Sequence, residues 1–119
     1  MTTPTLLGIS GSLRASATNR KLLREAARLF GECTYAEADA VLISTPEYNK
    51  GPSGALKNAL DWVSRVKGNP WADKPVAVMS AASGRAGGER AQMVLRGFLV
   101  AFRPRILPGP EIHLADSSN

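Results

Sequence analysis

The sequence predicts an α/β domain with a central parallel sheet. Three observations carry this. Short apolar runs alternate with amphipathic stretches of helical period, the pattern of strand–helix–strand units. The runs are continuous rather than alternating, as strands covered by helices on both faces must be. Each run also empties into a loop rich in small and polar residues, and in an open parallel sheet the loops at the carboxyl ends of the strands hold the ligand.

The elements follow in order. Residues 5–9, with Leu6, Leu7 and Ile9, form the first strand, buried on both faces. Residues 19–30 form a helix with Leu22, Leu23, Ala26, Ala27 and Phe30 on one stripe, closed by Gly31. Residues 40–44 (Ala-Val-Leu-Ile-Ser) are too short for a helix and suit a central strand. A helix over 55–67 presents Leu56, Ala59, Leu60, Val63 and Val66, with Asp61 spaced to pair with Lys57 and Arg65. Residues 75–80 form the third strand, and residues 89–102 a helix with Ala91, Val94, Leu95, Phe98 and Phe102 on one face. A last strand runs through 105–107 and 111–114, interrupted by Pro108-Gly109-Pro110.

The 119 residues fit one domain, 1–119, large enough for a real core. No apolar run approaches the roughly 20 residues of a membrane span. The amino-terminal residues lack a basic segment followed by a long apolar one, so no signal peptide is expected. The single cysteine, Cys33, makes no internal disulfide and suits a reducing cytoplasm. A net charge of +5 raises nucleic acid as a partner, but the bases are dispersed and aromatics are only 6%, without interleaving. A basic surface and a site for an anionic cofactor explain the charge, and neither nucleic acid nor membrane is expected as a partner.

The stretch from Gly8 to Asn19 organises the chain. Gly11, Ser10, Ser12, Arg14, Ser16, Thr18 and Asn19 lie between a strand and a helix, where free N–H groups, hydroxyls and the positive helix end converge. Arg14, Arg20, Lys21 and Arg24 all precede the first acid, Glu25. The turn is neither GxxxxGK[ST] nor GxGxxG. It reads as a phosphate cradle, or as a plain turn in which Ser16 or Thr18 caps the helix. The loops at 46–51 and 80–88 add Pro, Tyr, Asn, Gly and Ser, which suit a flat polar ring approached by backbone.

Three segments resemble, in order, signatures of the NADPH-dependent FMN reductase family. They are Gly11-Ser12-Leu13-Arg14 with Ser16 and Asn19, Pro46-Glu47-Tyr48-Asn49 followed by residues 52–62, and residues 80–84 with Gly87-Gly88. The resemblance implies a flavodoxin-like three-layer sandwich, non-covalent FMN, and a homodimer or homotetramer. It also implies hydride transfer from NADPH or NADH to the flavin and on to a flavin, quinone or similar small-molecule acceptor. It assigns Ser10, Ser12, Leu13, Arg14, Ser16 and Asn19 to the FMN phosphate. Pro46, Glu47, Tyr48 and Asn49 would line the ring, and Ser83, Gly84 and Gly87 would close its far edge. No side-chain acid or base is required of the protein, since the chemistry is the cofactor's.

Other roles stay open for several of these residues. Glu47 is as well suited to capping as to the cofactor, and Tyr48 to packing on the domain. Trp62 suits core or subunit interface, Trp71 the core edge, and His113 a structural place. The chain also departs from the family. Only residues 32–38 stand where members carry a second strand and most of a second helix, and a final helix that would cover one sheet face is lacking. Without that strand, the first helix must lead directly to the next strand. On its usual face this makes the crossover left-handed, against the right-handed rule for such connections. Moving the helix would re-aim the phosphate loop, so a segment missing between Gly31 and Ala38 is the favoured explanation. A flavin-binding or interaction domain without turnover is the alternative function.

Overall fold

The computed structural model describes residues 5–12, 17–30 and 38–117. Its strands β1 (Leu6–Ser10), β2 (Ala40–Thr45) and β3 (Pro75–Ala81) lie side by side in that order, all parallel. The expected interrupted strand is present as two pieces on the outer edge of β3. β4 (Arg105–Ile106) pairs with its beginning and β5 (Ile112–Leu114) with its end. Pro108 and Pro110 between them have no N–H to offer a ladder.

The register sorts residues into two faces. Val41, Ile43, Val76 and Val78 point one way, with Leu7 and Ile9 aligned beside them. On this face pack Leu56 and Leu60 of α2 (Gly54–Val63), Leu95 and Leu99 of α3 (Glu89–Leu99), and Trp71, whose ring tilts against Phe102 at 6.0 Å. Trp71 is therefore core. The opposite face carries α1 (Thr18–Phe30). Its Leu23 lies 3.3 Å from where a Cβ on Gly8 would stand, and Asn19 bonds Ser44 and Ala81.

Several boundaries differ from expectation. The helix expected to reach residue 67 stops at Val63, because the Ser64 hydroxyl turns back to Asp61 O at 2.5 Å and the next N–H groups bond three residues back. Lys57 and Asp61 form the expected ion pair at 2.5 Å. α3 ends at Leu99 and tightens into a 3₁₀ turn over Val100–Phe102. β1 is only half-buried, with Gly8 exposed, because among the described residues it pairs with β2 alone. An edge strand cannot be covered as a central one is.

The crossovers are not alike. All three helices lead to the next strand in the same direction across the sheet, yet α1 lies on the face opposite α2 and α3. The β1–α1–β2 connection therefore has the opposite hand to the two that follow it. Such connections are right-handed with few exceptions, so the two hands cannot both be the usual one.

Candidate functional site

The loops after β1, β2 and β3 converge at the carboxyl end of the sheet and enclose a cleft. Ser12, Thr18 and Asn19 wall one side, Pro46, Glu47 and Tyr48 another, and Ala81, Ala82 and Ser83 a third.

The first loop is fixed where it leaves β1. Gly11 N donates to Ser44 O at 2.8 Å, and Gly11 O accepts from the Ser53 hydroxyl. A Cβ on Gly11 would stand 2.9 Å from Pro46 Cδ, so only glycine lets β1 end this close to the second loop. Ser10 Oγ accepts from Ser12 N at 3.3 Å, which shapes the turn. Ser12 is buried and faces the cleft. Leu13, Arg14 and Ser16, expected at the phosphate, lie outside the described residues. Beyond them α1 begins at Thr18, whose hydroxyl donates to Ser117 O at 3.0 Å.

The first turn of α1 contains no acid and carries Arg20 and Lys21 instead. Acids there would stabilise the helix dipole and bases oppose it. An anion at the helix end offsets that local cost, which agrees with a phosphate cradle.

Asn19 is buried and its amide is engaged. Oδ1 accepts from Ser44 Oγ at 2.7 Å and from Ala81 N at 3.0 Å, while Nδ2 donates to Ala81 O at 3.0 Å.

In the second loop Pro46 is buried against the cleft and Tyr48 is half exposed at its rim. Tyr48 and Gly51 exchange both backbone hydrogen bonds, at 2.8 and 3.1 Å, around Asn49 and Lys50, whose φ angles are 53° and 69°. Two left-handed residues between such a pair make a type I′ turn. Asn49 forms that turn and is exposed, away from the cleft wall. The Glu47 carboxylate accepts from Ala91 N at 3.1 Å, in the first turn of α3. Gly88 at the N-cap of α3 has no side chain to offer, so Glu47 caps this helix from another loop.

In the third loop Ser83 lines the cleft, whereas Gly84 and Gly87 lie outside its wall. Gly84 O accepts from Gly87 N and Asp116 N, which folds the loop onto the residues after β5. Gly87, at φ 64°, sits where a Cβ would stand 2.9 Å from His113 Cβ. Beneath it the Ser80 hydroxyl donates to Gly87 O at 2.6 Å, and buried Gln92 donates to Ser80 Oγ and Ile112 O. The glycines shape the loop, and Ser83 is an exposed residue of the cleft wall.

Thr18, which the sequence places in the cradle stretch, also lines the cleft, as do Ala17, Ala81, Ala82 and Ser117, which have no role assigned from the sequence. Thr18 carried a signal as a cap candidate. Ser117 carried none, since its place depends on β5 returning to the end of β3. Ser53, given no role from the sequence, caps α2 through Leu56 N at 3.2 Å and anchors Gly11 O.

Residues 34–118 match the family model described as NADPH-dependent FMN reductase. The chain is 36% identical to the NAD(P)H-dependent FMN reductase of Pseudomonas aeruginosa, covering 96% of this chain and 79% of that protein. That alignment runs over 146 positions, of which a chain of 119 residues supplies only about 114. The relative thus carries about 32 positions within the aligned region that have no counterpart here. A quinone reductase of Escherichia coli is 45% identical over 75 residues, which cover 63% of this chain and 40% of that enzyme. Among solved structures, the flavoenzyme NAD(P)H:(acceptor) oxidoreductase of Paracoccus denitrificans superposes with a TM-score of 0.83. It is 30% identical and matches 92% of this chain and 78% of its own.

Proposed function

The chain belongs to the NADPH-dependent FMN reductase family, and we propose that it acts, as a single flavodoxin-like domain, as an NAD(P)H-dependent reductase of flavins, quinones or similar small acceptors. The observation that carries this is the convergence of three loops on one cleft at the carboxyl end of the parallel sheet, with the start of α1 in its wall. The chemistry of the donor set fits FMN. Hydroxyls and a helix N-terminus free of acids suit a phosphate, while Pro46, Tyr48, Ala81, Ala82 and Ser83 offer flat, small and backbone surface to a ring system.

FMN, when bound, supplies the acceptance of hydride from NAD(P)H and its transfer to the acceptor. The chain's own residues bind and orient. Ser10, Ser12, Leu13, Arg14 and Ser16 hold the phosphate end, with Arg14 as the charge-assisted donor that lysine would replace poorly. Pro46, Glu47, Tyr48 and Asn49 form the segment along one side of the ring, and Ser83, Gly84 and Gly87 the segment along the other. Glu47 keeps its segment in place through α3, and its carboxylate is occupied there rather than offered as an acid or base.

Trp62, 72% exposed on α2, together with exposed Val66, supports assembly into a homodimer or homotetramer through that helix. The lone cysteine agrees with a cytoplasmic location.

The test is to supply purified protein with FMN, remove free flavin, record the visible spectrum and follow NADPH oxidation with a quinone. Retained flavin and quinone-dependent oxidation are expected. Retained flavin without oxidation would favour the binding-only alternative, and no retained flavin would refute the proposal.

A further inference from the structure

We propose that Asn19 is a positioning residue rather than a phosphate ligand: its amide sets the spacing between the ends of β2 and β3, from which the two ring-facing loops leave. The inference rests on the flavin-binding role and adds a division of labour within it. β2 and β3 last pair at Thr45↔Ser80, so Ala81 stands one residue beyond the ladder. Its neighbour Ala82 turns to the other side, where its N–H donates to Leu114 O at 3.0 Å and its C=O accepts from Ser117 N at 3.1 Å. The N–H and C=O of Ala81 have lost their strand partner and are buried, a costly state unless they are paired. The Asn19 amide takes both, at 3.0 Å each, as the peptide of a further strand residue would.

The same Oδ1 also receives the Ser44 hydroxyl at 2.7 Å, and Ser44 is fully buried. Both lone pairs of the amide oxygen are thereby used, and one amide N–H is used as well. Asn19 as a whole is 3% exposed. Its bonds run to β2 and β3, two residues before Pro46 and Ser83 respectively. An aspartate could not replace it, because it has no donor for Ala81 O. An alanine would leave a buried donor and acceptor unpaired together.

The test compares FMN with riboflavin, which lacks the phosphate. In Asn19→Ala both affinities should fall by a similar factor, about tenfold or more for the loss of several buried hydrogen bonds. In Arg14→Ala only FMN should suffer. The Ala81 amide should also exchange faster in Asn19→Ala without any ligand, which tests the clamp independently of flavin binding. Should Asn19→Ala fail to fold, Ser44→Ala removes one of the bonds at a residue outside the cleft wall, and a smaller loss common to both flavins is expected. A loss confined to FMN in these variants would overturn the inference and make Asn19 a phosphate ligand. Unchanged Ala81 exchange would overturn it too. Wild-type protein that binds neither flavin would instead refute the functional reading on which it stands.

Discussion

Glu47 offers the most direct perturbation of how the ring-facing loops are held. Its carboxylate accepts from Ala91 N at 3.1 Å, and the N-cap position, Gly88, contributes no side-chain bond of its own. Glu47→Ala therefore removes the side-chain cap of α3. Loss of an N-cap bond costs about 1 kcal/mol, and loss of a carboxylate near a helix N-terminus adds about 0.3–1 kcal/mol, so about 1–2 kcal/mol in all. For a chain of 119 residues the unfolding entropy is about 0.25 kcal/mol/K, and the melting temperature should fall by about 4–8 °C. Glu47→Gln keeps an acceptor and loses the charge, so it should lie between the two. Thermal unfolding followed by circular dichroism reads all three proteins. An unchanged melting temperature in Glu47→Ala, or a glutamine variant as unstable as the alanine one, would refute the assignment of this contact as a cap.

Other expectations follow from the site and the topology. Arg14→Ala should weaken FMN by about 1.5–3 kcal/mol, the worth of a hydrogen bond to a charged group. The wild type should bind riboflavin far less tightly than FMN by calorimetric titration, and equal affinity would remove the phosphate site. Initial rates against NADPH at several quinone concentrations should give parallel lines, because one space beside the ring serves donor and acceptor in turn. Intersecting lines would require a separate acceptor pocket. Inserting the additional residues of the Pseudomonas aeruginosa relative between Gly31 and Ala38, the junction at which the sequence leads one to expect a missing segment, should raise the melting temperature and slow amide exchange along β1. Unchanged exchange there would show that the extra segment does not cover this edge.

What was legible in the sequence was what local pattern decides. The runs at Leu6, Val41 and Val76 became parallel strands, and the Leu56–Leu60 spacing became a buried helix face; on the last helix Leu95, Phe98 and Phe102 pack on the core as expected, whereas Val94 is exposed and Leu99, not on the expected face, is fully buried. The convergence of the Ser12, Pro46 and Ser83 loops was legible too, because parallel strands place their carboxyl ends together. Hidden were contacts between residues distant in sequence. Asn19 reads as one more polar residue of a phosphate loop until Ser44 and Ala81 are brought beside it. Glu47 left cap and cofactor roles equally open until Ala91 N was found against it. The half-exposure of β1 was hidden for another reason: an apolar run does not state how many neighbours its strand will have.

The central claim is that this cleft holds FMN and lets NAD(P)H reduce it. The most direct measurement is anaerobic stopped-flow mixing of NADPH with FMN-loaded protein, with the same concentration of free FMN as control. The visible flavin band should bleach many times faster in the protein than in solution, by an amount equal to the bound flavin. Bleaching no faster than that of free FMN, from protein shown to hold the flavin, would contradict the claim.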